Sequence, residues 1–308
     1  MRTRGLALAG WLLVACAEDD SKLTLALNWK PEPEFGGIFE AERSGAFEKR
    51  GLALERTGGP GAPVVQMVTA GQVSFGIASA DEVVLARDRG GDVVAVFATY
   101  QTSPQGLMTH AARGLASLEA LLEAKGTLAV EPGLPYVKWL EKRYGFGALQ
   151  VVPYTYSIAP FLNDPTLSQQ VFVTAEPIAA RRAGADPQVF LVADSGYDPY
   201  TAVVITRGET LRSRPAQVKA LVEALREGWR GYLDDPAPAN ARMGPLNPEM
   251  DAEAFGLGAE AQERLIEVAN GALGQMSEER WATLAQQLSE LGLLAKPPQP
   301  AASYFVNP

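Results

Sequence analysis

Two residue types that carry much of catalytic and metal chemistry are almost missing from this chain of 308 residues, which has one cysteine, Cys16, and one histidine, His110. A lone cysteine excludes an internal disulfide framework and a cysteine zinc site, and a lone histidine excludes a paired-histidine metal centre. A Ser-His-Asp triad would have to use His110, and a Cys-His nucleophile would have to use Cys16. Basic excess is missing as well. Acids outnumber bases by 36 to 27, for a formal net charge of −9. A nucleic-acid partner calls for a basic face, so none is expected. No segment after the N-terminus approaches the roughly 18 consecutive apolar residues of a membrane-spanning helix. What is present is ordinary for a globular chain: 47% hydrophobic and 20% charged residues, enough for one large domain or two lobes.

The N-terminus reads as a leader. Arg2 and Arg4 precede the uncharged apolar stretch Gly5 to Ala15, which is too short to span a bilayer as a stable helix. It ends in Leu13-Val14-Ala15-Cys16, which resembles a bacterial lipobox. Residues 1–15 are therefore read as a lipoprotein signal peptide, Cys16 as the lipidated first residue of the mature chain, and residues 16–22 as a polar tether. An ordinary secretory signal with a chance cysteine is the alternative. The expectation is an exported domain, anchored to the bacterial membrane and facing the periplasm or the cell exterior.

From Leu23 to Thr206 strand-like and helix-like runs alternate. Leu23 to Leu27, Leu52 to Glu55, Ser74 to Ala78, Val93 to Phe97, Thr127 to Val130, Leu149 to Val152, Gln170 to Val173, Val189 to Val192 and Ala202 to Thr206 read as strands. Helices are expected at Gly37 to Phe47, Val64 to Ala70, Asp81 to Arg89, Tyr136 to Tyr144, Ile158 to Leu162 and Pro177 to Ala183. Such alternation predicts parallel sheets with helices on both faces. After Thr206 only helices follow, at Pro215 to Leu233, Met250 to Phe255, Ala259 to Asn270 and Glu278 to Leu291, before a proline-rich tail. Crossovers fall near Tyr100 to Gln105 and Asp194 to Thr201, where Pro, Ser, Thr, Tyr and Gly cluster. They divide the chain into a discontinuous first lobe, 23–103 and 200–308, and a second lobe, 104–199. A single doubly wound domain is the alternative.

Ligands of open α/β sheets sit beyond the carboxyl ends of the strands. The segment Asn28-Trp29-Lys30-Pro31-Glu32-Pro33-Glu34-Phe35-Gly36-Gly37 lies at such an end. Trp29 offers a flat π face, or else it is a core tryptophan. Glu34 offers an acceptor for amino donors. Gly36 and Gly37 would let a ligand approach backbone N–H groups at a helix start. Ser79 and Asp81 read equally as ligand contacts or as helix caps. Glu176 reads either as a contact or as a first-turn glutamate favoured by the helix dipole. Gly58-Gly59-Pro60-Gly61 is a tight turn or an anion nest without the lysine of a P-loop.

Leu27-Asn28-Trp29, Pro31 to Gly37, Glu40-Ala41-Glu42, Gly45-Ala46-Phe47, Gly58 to Gly61, Gly71 to Ile77 and Ala175-Glu176-Pro177 come in an ordered series. The series resembles the periplasmic solute-binding proteins of ABC importers for thiamine pyrimidine precursors and riboflavin, relatives of the fungal pyrimidine synthases. The resemblance runs from about residue 23 to about residue 230. It implies a two-lobed, type II periplasmic-binding-protein-like α/β fold that closes on a small molecule, with a permease and an ATPase as partners and no cofactor. By the same resemblance Trp29 would stack on the ligand, Ser79, Ala80 and Asp81 would offer a hydroxyl, N–H groups and a carboxylate, and Glu176 would bond ring nitrogens or an amino group. Phe35, Tyr136, Tyr156 and Tyr197 complete the expected lining. A monomer is expected.

Charge sorts the ligands. Glu34, Asp81, Glu131, Glu176 and Asp194 are expected in the cleft with Lys30 as the only nearby base, which suits a neutral or cationic nitrogen heterocycle. Receptors for sulfonate, nitrate or taurine, the alternative in the same superfamily, call for arginine or helix N-termini aimed at an oxyanion. Synthase chemistry, the enzymatic alternative, relies in the fungal relatives on a histidine and a cysteine-rich motif. The absence of that motif here disfavours it, and His110 reads as an exposed loop residue.

Overall fold

The computed structural model describes residues 22–266 and 273–308. Cys16 and the leader lie outside the described residues. The first part of the chain runs β1 (Lys22–Leu27), α1 (Gly36–Arg43), β2 (Ala53–Gly58), α2 (Val64–Thr69), β3 (Phe75–Ala78), α3 (Ala80–Asp88) and β4 (Val93–Tyr100). It then builds β5 (Gln105–His110), α4 (Leu118–Glu123), β6 (Gly126–Val130), α5 (Pro135–Tyr144), β7 (Leu149–Pro153), α6 (Ala159–Asn163), β8 (Leu167–Phe172), α7 (Glu176–Arg182) and β9 (Pro187–Leu191). The last part is β10 (Thr201–Arg207) followed by α8 (Gly208–Ser213), α9 (Pro215–Asp234), α10 (Ala237–Met243), α11 (Ala252–Ile266) and α12 (Glu278–Glu290). The strands form two five-stranded sheets, ordered β2-β1-β3-β10-β4 and β7-β6-β8-β5-β9. The fold is α/β with two lobes, the architecture of periplasmic binding proteins.

Both sheets are mixed, not parallel as the alternation suggested. β10 runs antiparallel to β3 and β4, and β5 antiparallel to β8 and β9. The reason is topological. β5 and β10 are the first strands laid down after each crossing, so each starts at the end of the sheet where the other strands finish. The carboxyl ends of eight strands and the starts of β5 and β10 therefore face one another.

Residues alternate between the two faces of the first sheet as the strand period of two demands. Leu25, Leu27, Val96 and Val204 pack toward α1 and α9, whereas Ala26, Ala95, Val203 and Ile205 pack toward α2, α3 and α12. Burial on both sides explains the continuous apolar strands. Gly36 and Gly37 serve this packing rather than a ligand. A Cβ at Gly36 would lie 2.2 Å from the Tyr232 ring, one at Gly37 2.3 Å from Trp229, and one at Gly228 2.1 Å from the Gly37 carbonyl oxygen. Their missing side chains let α1 and α9 cross in close contact.

Other expectations also change. β5, α4, α8 and α10 were not legible as elements. The two helices expected around Met250 to Asn270 are one continuous α11 as far as Ile266, and the residues expected beyond 266 lie outside the described ones. Its Gly258 sits where a Cβ would be 2.8 Å from the Thr174 carbonyl oxygen of the second lobe. His110 is half-buried at the end of β5 and stacked on Phe161 at 3.9 Å. The crossings are tied by Arg280 on α12, whose guanidinium donates to the carbonyl oxygens of Gln101, Asp198 (2.6 Å) and Pro199 (3.2 Å). Among the described residues no helix is long and apolar enough to cross a membrane.

Candidate functional site

Where the strand ends of the two sheets face each other lies a cavity of about 560 Å³. Trp29, Lys30, Glu32 and Glu34 reach it from the β1–α1 connection, and Ser79, Asp81 and Glu82 from the start of α3. The second lobe contributes Tyr136 on α5, Tyr154 and Tyr156 after β7, Gln170 on β8, Glu176 at the start of α7, and Tyr197 on the return crossing.

Aromatic rings form one wall. Trp29 and Tyr156, from different lobes, have centroids 5.7 Å apart, and Tyr154 and Tyr156 are 5.2 Å apart. Tyr156 has φ of 57° and is 57% exposed. A bulky residue in left-handed backbone is strained and persists where its surroundings fix it. Here that conformation sets the ring at the cavity rim.

Carboxyls form the other wall, and burial displaces the titration of Glu32, Glu34, Asp81 and Glu176 upward. The Glu32 carboxyl is pushed up to about 7, first by burial and then by the charge of Glu176, against the pull of Lys30 and of hydrogen bonds from Trp29 and Asn247. Trp29 Nε1 donates to Glu32 Oε1 at 3.2 Å. Burial, then Glu32 and Glu176, hold Glu34 well above the usual carboxylate range. Glu34 is only 8% exposed, and its carboxyl has no hydrogen-bond partner among the described residues. Glu176 is raised by burial although it accepts from Tyr154 Oη at 2.8 Å and from the Phe172 N–H at 2.8 Å. Asp81 is likewise raised by burial, and it accepts from Ser79 Oγ, from the Glu82 N–H at 2.9 Å and from Tyr197 Oη at 3.3 Å. Buried carboxyls of this kind, gathered in a cleft, are a recurrent mark of functional sites.

The cations of the cavity are already committed. Lys30 pairs with Glu249, and Arg182 with Asp251 and Glu253. The start of α3 is also taken, because Asp81 and Glu82 accept the N–H groups that an anion would need. The cleft is therefore acidic, aromatic and equipped to accept hydrogen bonds. Among the described residues no group of His, Cys, Asp and Glu is placed to hold a metal ion.

The sequence profile described as NMT1/THI5 like matches residues 32–239, more than half of the chain. The chain belongs to the NMT1/THI5-like family. No curated protein sequence matches it. Among solved structures, this NMT1/THI5-like chain is similar to the periplasmic aliphatic sulphonate binding protein SsuA from Escherichia coli, at 12% identity and a TM-score of 0.72 over 94% of this chain and 92% of that one. It is also similar to the alkanesulfonate-binding protein SsuA from Xanthomonas axonopodis pv. citri bound to MOPS, at 10% identity and 0.67 over 94% and 99%. The desulfurization enzyme DSZB is a third, at 15% identity and 0.62 over 91% and 96%. At such identities the similarity speaks to the fold.

In the NMT1/THI5-like chain, eight of the ten residues expected to line the site do so: Trp29, Glu34, Ser79, Asp81, Tyr136, Tyr156, Glu176 and Tyr197. Phe35 and Ala80 do not; both are fully buried, Phe35 in the core beneath α1 and Ala80 in the first turn of α3. Asp194 belongs to the return crossing and is absent from the wall. Gly58, Gly59 and Gly61 have positive φ and form a turn away from the cavity, with the Gly59 N–H on the Leu27 carbonyl. Glu32, Gln170 and Arg182 line the wall without having been singled out. The Pro-Glu-Pro-Glu repeat was a usable signal for Glu32. Gln170 was read only as part of a strand, although a glutamine in a buried strand needs a polar partner.

Proposed function

We propose that the chain is the substrate-binding lipoprotein of an ABC importer, capturing a small nitrogen heterocycle of the thiamine-pyrimidine-precursor or riboflavin type between its lobes. The observation that carries the reading is Glu34, a buried residue whose carboxyl has no hydrogen-bond partner among the described residues, in an aromatic cleft already crowded with Glu32 and Glu176. An aminopyrimidine edge answers that arrangement, since its amino N–H donates to one oxygen of the Glu34 carboxyl and its ring nitrogen accepts from the O–H of the other, the proton that burial keeps on the group. Family membership agrees with it. In this reading Cys16 carries the lipid anchor, the chain is exported and monomeric, closure of the lobes signals to a permease and its ATPase, and no chemical step is catalysed.

The structural similarities favour a second reading, a receptor for sulfonate-type anions, because two of the compared structures are described as sulfonate-binding. Against it stand the acidic wall and, among the described residues, the absence of an uncommitted arginine on it. Both readings share the importer; they differ in the sign of the ligand.

Titration calorimetry of the purified protein against aminopyrimidines, riboflavin, taurine, alkanesulfonates and nitrate separates them. Binding of a pyrimidine or flavin that weakens in Glu34→Gln supports the heterocycle reading. Binding confined to the sulfonates or nitrate overturns it in favour of the anion receptor.

A further inference from the structure

We propose that Gln170 is a specificity-determining residue: it presents a hydrogen-bond donor to the ligand from the lobe opposite Glu34, so the ligand is a ring with an amino donor and a separate oxygen acceptor. The inference rests on the heterocycle reading and adds a second point of recognition to it.

The orientation of the Gln170 carboxamide follows from its partners. Its Oε1 accepts the Glu131 N–H at 2.6 Å and the Tyr136 hydroxyl at 2.8 Å. A backbone N–H can only donate, so the atom facing it must be the oxygen, and the amide cannot be turned over. The NH2 group is left with its hydrogens, and among the described residues nothing accepts them. Gln170 is 8% exposed and lines the cavity. Its donor can be satisfied only from within the cleft.

Glu34 is the counterpart on the first lobe, equally buried and equally without a partner among the described residues. Both groups line the cavity and neither has a partner among the described residues. On opposite lobes of one cavity, they describe the molecule that would pair them. It donates toward Glu34 and accepts from Gln170, and so bridges the two lobes.

Three probes separate the two points of recognition: 4-aminopyrimidine, which has no exocyclic oxygen; cytosine, with an oxygen on the ring; and 4-amino-5-hydroxymethylpyrimidine, with one on a substituent. Calorimetry on the wild-type protein is expected to give at least one oxygen-bearing ring an affinity about tenfold above that of 4-aminopyrimidine. Gln170→Met and Gln170→Glu should each remove that advantage and leave 4-aminopyrimidine binding within about twofold, whereas Glu34→Gln should weaken all three. The wild-type ratio stands as a readout even where a variant fails to fold. Equal affinities for the three rings, or an advantage that survives both Gln170 variants, would overturn the assignment while leaving the heterocycle reading in place. Absence of binding by every ring would remove that reading, and this inference with it.

Discussion

The rings of Trp29 and Tyr156 meet across the two lobes, with centroids 5.7 Å apart and planes inclined by 33°. A third ring stacked between them needs roughly 7 Å from plane to plane, twice the contact distance of carbon atoms. The pair therefore closes the rim of the cavity in this conformation, and a flat ligand must part the rings or slide beneath one of them.

Stacking predicts a measurable asymmetry. Trp29→Ala should weaken a heterocyclic ligand by about 1–3 kcal/mol, the usual worth of a ring face against a base, with a small change in thermal midpoint because Trp29 is only half-buried. Calorimetry on Trp29→Ala and Tyr156→Ala checks it. If only the first loses affinity, the ligand stacks on one side.

The Glu32 carboxyl makes stability depend on pH. Its folded value of about 7 lies above the ordinary 4.5, so the folded state holds the proton more tightly. The group's contribution is fully present below pH 4.5 and is lost as pH rises through 7. The loss amounts to roughly 3 kcal/mol. Urea unfolding at pH 5 and pH 8 should show lower stability at the higher pH, and Glu32→Gln should flatten the difference. A slope unchanged in that variant would refute the assignment.

The crossing of α1 and α9 tolerates no side chain. Gly228→Ala would push a methyl group into the Gly37 carbonyl oxygen, 2.1 Å from the ideal Cβ position. Overpacking of this sort costs about 1–3 kcal/mol, and denaturant melts of Gly228→Ala beside Gly244→Ala, whose Cβ meets nothing, give the comparison.

Arg280 holds both crossings with one guanidinium. Arg280→Met keeps the aliphatic stem but leaves the carbonyl oxygens of Gln101, Asp198 and Pro199 without their donor, at about 1–3 kcal/mol for each that stays buried. Small-angle scattering of the ligand-free variant should show a wider spread of lobe separations than the wild type.

The α/β alternation, both crossings and most of the cavity wall were legible in the sequence, because strand ends before glycine, proline and acidic residues mark where ligands sit. What escaped it has identifiable causes. β5, with Gly106 inside it and Pro104 before it, lacks a β-branched run. The roles of Gly36 and Gly37 depend on Tyr232 and Trp229, nearly 200 residues away. Gln170 is visible as a recognition group only once the Glu131 N–H fixes its amide. Each is a long-range fact that local pattern does not carry.

The order β2-β1-β3-β10-β4 has a bearing on how the chain acquires its structure. β10 lies between β3 and β4, yet it leaves the ribosome about 100 residues after β4. All five strands of the other sheet lie within residues 105–191 and are complete before β10 emerges. The second lobe can thus fold during synthesis, while the first waits with an interior strand missing and the facing edges of β3 and β4 unpaired. Such edges are templates for wrong pairing. This interval, with β3 and β4 made and β10 still to come, is when the nascent chain most needs a holding chaperone.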